Sequence, residues 1–178
     1  MSTNIGYVYA ELAREDKENI SHWAIGSLKE DDLAFAYVNG ETKGGMVVND
    51  LHLTLSFGFD HEQLDIAQLR KYVERTRACP LKVAGVGMFP IEEYDCNALV
   101  LFISDDGSAL KKIHDDLSLF EHVKNQRAFD YRPHLSIAYV RKDFDIQNIK
   151  YTDPNPLRIE SISYKLKDSP ICILSVAV

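Results

Sequence analysis

The chain has 178 residues, 46% of them hydrophobic and 26% charged. That is ordinary globular usage and excludes a disordered tail, a collagen-like repeat and a low-complexity scaffold. With 20 Lys and Arg against 27 Asp and Glu the formal charge is −7, which suits duplex DNA poorly because that ligand is held by neutralising many phosphates, while a few basic residues still suffice for a local nucleotide pocket.

The opening residues, MSTNIGYVYAELARED, combine no basic region with a long apolar run, so no signal peptide is expected. No run of 18 apolar residues occurs, and no membrane partner is expected. Cys79, Cys96 and Cys172 are far apart and odd in number, forming neither a disulfide framework nor a CxxC knuckle. A reducing cytoplasm is the expected compartment, the host's if the chain is phage-encoded.

In chain order, residues 4–12 read as a strand with Tyr7 and Tyr9 on one face. Ile20, Trp23, Ala24 and Leu28 then repeat at helical spacing, with Asp16 as the expected N-cap. Residues 34–49 carry Asn39-Gly40 and Gly44-Gly45, the signals of a hairpin or of a loop able to close over a ligand. LHLTLSFGF at 51–59 alternates as a strand, and Ile66, Leu69, Val73 and Thr76 mark a helix over roughly 62–78. Two strand-like runs follow at 81–89 and 97–104, then a helix whose stripe is Leu110, Ile113, Leu117 and Phe120. HLSIAYV at 134–140 is a further strand, and Pro154 and Pro156 precede final strands near 157–167 and 171–178. The pattern predicts a single α+β domain over 1–178, largely antiparallel, with no linker dividing it.

One internal echo stands out. His52-Leu53-Thr54-Leu55 and His134-Leu135-Ser136-Ile137 share the form His-apolar-hydroxyl-apolar, each inside a strand. Side chains alternate across a strand, so each motif sets an imidazole beside a hydroxyl and sends its apolar pair to the other face. The two motifs, their order and their spacing resemble the two-histidine phosphoesterase superfamily, which includes 2′-5′ RNA ligase-like proteins, 2′,3′-cyclic nucleotide phosphodiesterases, RNA-trimming enzymes and phage anti-CBASS nucleases. Arg132-Pro133-His134 is similar to the lead-in of the family's second motif. The resemblance implies a bilobal fold, two pseudo-symmetric lobes of antiparallel sheet with flanking helices around a central cleft. It implies His52, Thr54, His134 and Ser136 as catalytic residues, and it brings Tyr7 beside the cleft as a base-stacking candidate.

The chemistry follows from the residue types. Phosphodiester cleavage needs a base for the attacking oxygen and an acid for the leaving one, and histidine, with an unperturbed pKa of about 6.5, serves as either near neutrality. Thr54 and Ser136 are placed to donate to non-bridging phosphate oxygens. No metal and no cofactor is required. Arg132 and Lys165 are further substrate-binding candidates, Lys165 sharing a strand face with Lys167, while Glu160 and Tyr164 on the opposite face are weighed as base contacts. Tyr139 falls on the Leu135/Ile137 face and reads as core. His22, His61, His114 and His122 read as surface or packing residues, and Asp50 as a strand-start residue. The acidic, compact chain favours a cyclic oligonucleotide signal or short RNA as substrate. The alternatives are a 2′,3′-cyclic nucleotide phosphodiesterase or RNA 3′-end processing enzyme, a nucleotide-binding module without turnover, and a zinc hydrolase that uses both histidines as ligands.

Overall fold

The computed structural model describes residues 4–38, 41–123, 130–167 and 169–178. Among these, nine strands and three α-helices follow in order: β1 Ile5–Leu12, α1 Arg14–Ser27, β2 Phe35–Val38, β3 Glu41–Gly44, β4 His52–Asp60, α2 Ile66–Arg75, β5 Leu81–Ile91, β6 Cys96–Asp105, α3 Ala109–Leu117, β7 His134–Arg141, β8 Ile159–Leu166 and β9 Cys172–Ala177. Seven strands make one antiparallel sheet, ordered β5-β6-β7-β4-β1-β8-β9, and β2 pairs with β3 as a separate hairpin. The tip of that hairpin, the expected Asn39-Gly40 turn, lies outside the described residues. The α+β expectation holds, and the two lobes are halves of one continuous sheet.

The halves, β5-β6-β7 and β4-β1-β8-β9, meet through a single residue pair, Leu53 opposite Leu135. Beyond it β7 turns its edge to a different partner. The Val47 N–H donates to the Ile137 carbonyl (2.9 Å), the Tyr139 N–H to Gly45 (2.8 Å) and the Ala34 N–H to Tyr139 (2.9 Å). Residues 33–34 and 45–47 thus form a wedge that parts β7 from β4. Residues 45–47 are pinned strand-like to β7, which gives that part of the expected loop a fixed place.

Period-two alternation builds the core. Val8, Ala10 and Leu12 of β1, Leu53 and Leu55 of β4, and Leu99 and Leu101 of β6 are all buried in one cluster. Leu69 and Val73 of α2 and Leu110, Ile113 and Leu117 of α3 pack into the same cluster at helical spacing. Each fully buried Leu contributes about 1.5–3 kcal/mol by leaving water.

Four expectations are corrected. Asp16 is no N-cap: α1 starts at Arg14 after Ala13, and the buried Asp16 carboxylate accepts from the Arg158 backbone N–H (2.7 Å) and Nη2 (3.0 Å), tying the helix to the approach of β8. The second helix is shorter than 62–78, because Asp65 caps it by accepting from Ala67 N–H (2.9 Å) and Gln68 N–H (3.0 Å). Tyr139 is half-buried and not core. The pairing shifts from Val100 opposite Ser136 to Leu99 opposite Ala138, so Ile137 is an extra residue and everything after it changes face. Tyr164 is fully buried on the core face, where the missing side chain of Gly6 leaves room for its ring, so it is no base contact.

Candidate active site

The seam between the two halves is where the two motifs meet. Leu53 and Leu135 pair face to face and point into the core. Alternation then turns His52, Thr54, His134 and Ser136 together to the other, partly exposed face. That one pair puts His52 and Thr54 on one side of the seam and His134 and Ser136 on the other, on neighbouring strands. All four predicted catalytic side chains are brought together.

Both imidazoles are held alike. His52 Nδ1 donates to the Asp50 carbonyl at 2.7 Å, and His134 Nδ1 donates to the Arg132 carbonyl at 2.7 Å. A carbonyl can only accept, so each Nδ1 carries the proton and each neutral ring keeps a bare Nε2. Two identical tautomers on one sheet face are a consequence of the repeated backbone geometry. His122 makes the same two-residue bond to the Phe120 carbonyl (2.7 Å), but its Nε2 turns to Ser56 Oγ (3.4 Å) beside Phe59. It packs, as expected, as do His61 on Tyr164 and His114 on Tyr131.

Aromatic rings wall the histidines. Tyr7 and Tyr9 lie 5.8 and 5.2 Å from the His52 ring, and Phe89 lies 5.0 Å from the His134 ring in an edge-on contact. Lys165 reaches over both tyrosines, its Nζ 5.5 Å from the Tyr7 ring and 5.3 Å from that of Tyr9. Its side chain is 16% exposed and stands 3.9 Å from Asp50 Oδ1. Burial works to lower the Lys165 pKa, but the neighbouring Tyr7 phenol and the Asp50 charge outweigh it and raise the net value, so the cation persists at neutral pH. The Asp50 carboxyl is held below its ordinary range, chiefly by the His52 imidazole beside it and against the opposing effect of burial. Burial, with Cys172 next in importance, pushes the Tyr9 phenol well up and keeps it neutral.

Of the predicted binding residues, Tyr7 and Lys165 join the His52 side. Tyr7 is only 9% exposed and lies under Lys165, so it is a wall and not an open stacking platform; Phe57, 6.3 Å from it and 42% exposed, is the more open ring. Arg132 precedes the first residue of β7 and is exposed; its carbonyl, through His134, is its described part in the site. Lys167 lies beyond the end of β8.

Several residues were missed as site components. Asp50 supplies both the carbonyl and a nearby carboxylate for His52, its Oδ1 being 3.6 Å from Nδ1. Phe89 sits in an alternating run that marked it as strand but not as cleft. Tyr131 donates from its hydroxyl to the Thr54 carbonyl (3.3 Å), linking the lead-in of the second motif to the body of the first. Its ring stacks on His114, centroids 4.1 Å apart and 2° from parallel, and His114 Nδ1 donates to the next carbonyl, Leu55 (2.8 Å). Among the described residues no three His, Cys, Asp or Glu side chains gather into a metal-binding group, and no helix is long and apolar enough to cross a membrane.

A seven-stranded antiparallel sheet with two His-apolar-hydroxyl-apolar strands meeting at its centre is the architecture of a two-histidine phosphoesterase. Residues 43–162 match the model of the 2′-5′ RNA ligase superfamily, and the chain belongs to that superfamily. Among solved structures, it is similar to TT0787 of Thermus thermophilus, with a TM-score of 0.65 and 14% identity over 97% of each chain. It is similar to Kluyveromyces marxianus Usb1, with a TM-score of 0.63 and 13% identity over 99% of each chain. It also resembles E. coli LigT complexed with phosphate, with a TM-score of 0.61 and 14% identity over 98% of this chain and 97% of that one. At such identities the likeness is one of fold. Among curated proteins none matches the sequence.

Proposed function

We propose that this chain is a phosphodiesterase that cleaves RNA-type linkages by acid–base catalysis between His52 and His134, without a metal. The observation that carries the reading is the pair of imidazoles on one sheet face, each with Nδ1 fixed to a carbonyl two residues back and Nε2 left for the substrate. In the neutral ring Nε2 takes the proton of a ribose 2′-OH, whose oxygen attacks the adjacent phosphorus. The other ring, protonated, gives its Nε2 proton to the departing 5′ oxygen, leaving a 2′,3′-cyclic phosphate that the same pair opens with water. Thr54 and Ser136 donate to the non-bridging oxygens, and the Lys165 cation offsets the charge that builds there.

The complexes of LigT with 3′-AMP and of Usb1 with uridine monophosphate support a nucleotide-sized ligand. The coarse class, a nucleotide or RNA phosphodiester, is where this support lies. The cyclic-oligonucleotide specificity expected from the acidic, compact chain is the narrower form of the proposal. The test is incubation with cyclic di- and trinucleotides, 2′,3′-cyclic nucleotides and short RNAs in the presence of chelator, read by mass spectrometry. Cleavage that persists in chelator, needs both histidines and stops when the scissile ribose is 2′-deoxy is the expected result. Binding without turnover points to the nucleotide-binding module, and activity lost to chelator and restored by zinc points to the metal hydrolase; either overturns the proposal.

A further inference from the structure

The face that carries the histidines does not end at them. Phe102 lies opposite His134 and Val100 opposite Ser136, and after the bulge Ala98 lies opposite Tyr139 and Cys96 opposite Arg141. Phe102, Val100, Ala98 and Cys96 are alternate residues of one strand, so they share a face, and Tyr139 stands on the face of His134. It lies roughly 15 Å further along β7. There the β2–β3 hairpin and β6–β7 enclose a cavity of about 170 Å³ whose lining includes Phe35, Lys43, Tyr94, Cys96 and Tyr139.

Three features of this cavity are unlike ordinary surface. Three of its walls are aromatic, and one of them, Phe35, is 60% exposed, so burial does not account for its position. Phe35 lies against Gly45, at φ +67°, where an added Cβ would come within 2.5 Å of its ring, so glycine is what lets the ring sit there. Among the described residues the lining holds one charged side chain, Lys43, and no carboxylate, in a chain of net charge −7.

We propose that this cavity is a subsite for a nucleobase of the substrate beyond the nucleotides flanking the scissile phosphate, with Phe35 and Tyr139 as stacking surfaces and Lys43 facing the neighbouring phosphate. The inference rests on the phosphodiesterase reading and deepens it: the substrate is a single-stranded RNA-type oligonucleotide long enough to run along β7. A 2′,3′-cyclic mononucleotide does not span that distance. Because every base has a π-face, the gain from this contact is sequence-tolerant.

The test is a series of linear RNAs sharing one scissile step and lengthened from the dinucleotide upward, on the 5′ side in one set and on the 3′ side in the other. On one side kcat/KM is expected to rise about ten-fold once the chain reaches the cavity. The ratio of long to short kcat/KM is expected to fall to near one in Tyr139→Ala and Phe35→Ala, to fall part of the way in Lys43→Ala, and to survive in Tyr139→Phe. If the dinucleotide is cleaved but length has no effect, or the gain survives both alanine substitutions, the subsite is overturned and the phosphodiesterase reading stands. If no RNA is cleaved, that reading fails, and the same oligonucleotides carrying 2-aminopurine still decide on the subsite by binding. Fluorescence quenching that depends on Tyr139 supports it; no binding, or quenching unchanged in Tyr139→Ala, overturns it.

Discussion

Tyr131→Phe separates geometry from stability at the seam. The variant keeps the ring stacked on His114 and removes only the hydroxyl that donates to the Thr54 carbonyl. A net hydrogen bond is worth about 0.5–1.5 kcal/mol, and at 3.3 Å this one belongs in the lower part of that range. Against a total stability of about 5–15 kcal/mol the folded population is untouched. For a chain of this size the melting temperature falls by about 2–4 °C per kcal/mol. The same hydroxyl is, however, a tie between the two motifs, which otherwise share one backbone pair. A misplacement of order 1 Å at a reacting group costs about 10² in rate, so kcat is expected to fall ten- to hundred-fold, with KM changing far less. Burial, and then Asp105, raise the phenol's pKa, so it stays a protonated donor through neutrality and the shape of the pH profile is unchanged. Thermal melts and steady-state kinetics on one RNA substrate measure both effects. A variant that loses the expected few degrees yet turns over normally would refute the reasoning, because the bond would then be structural only.

His52→Ala and His134→Ala are each expected to lower turnover by about 10²–10⁴, and the wild-type pH–rate profile is expected to be bell-shaped; near-normal rates in either variant remove that residue. Asp50→Asn tests linkage. The folded-state pKa of Asp50 is depressed, so its contribution is present above the unfolded carboxylate value of about 3.9 and is lost as pH falls through the lower folded value. The stability difference between wild type and Asp50→Asn, from urea melts, should therefore shrink as pH falls below about 4; a constant difference contradicts this. Gly6→Ala should destabilise by about 1–3 kcal/mol or more, because its Cβ meets the buried Tyr164 ring; an unchanged urea midpoint would show that the ring relocates freely.

The strands and the two motifs were legible because alternation is a local property: it puts His52 with Thr54 and His134 with Ser136 on one face and Leu53 and Leu135 on the other, while the catalytic reading of the four came from the family resemblance. What was not legible depended on a partner distant in sequence. Asp16 has the composition of an N-cap, and only the approach of Arg158 turns it into a tertiary tie. The alternation placed Tyr139 in the core, and one extra residue at Ile137, visible only in the pairing with β6, reversed its face. Tyr164 needed the space above Gly6 to be known before it could be buried. Tyr131 carries no local pattern, since its role is a bond to a carbonyl of β4 that any residue there would offer.

The strand order also sets a timetable for assembly. β5, β6 and β7 are consecutive in the chain and adjacent in the sheet, so their half closes from near neighbours. The other half is built on β1 flanked by β4 and β8, and the β1–β8 ladder joins residues separated by most of the chain. Loop closure makes such distant pairing the slow step. Tyr7 and Tyr9 reach His52 through the β1–β4 pairing, while Lys165 joins them only through the β1–β8 ladder. Completion of the candidate site is thus tied to the β1–β8 ladder, which joins the first and eighth strands of the described residues.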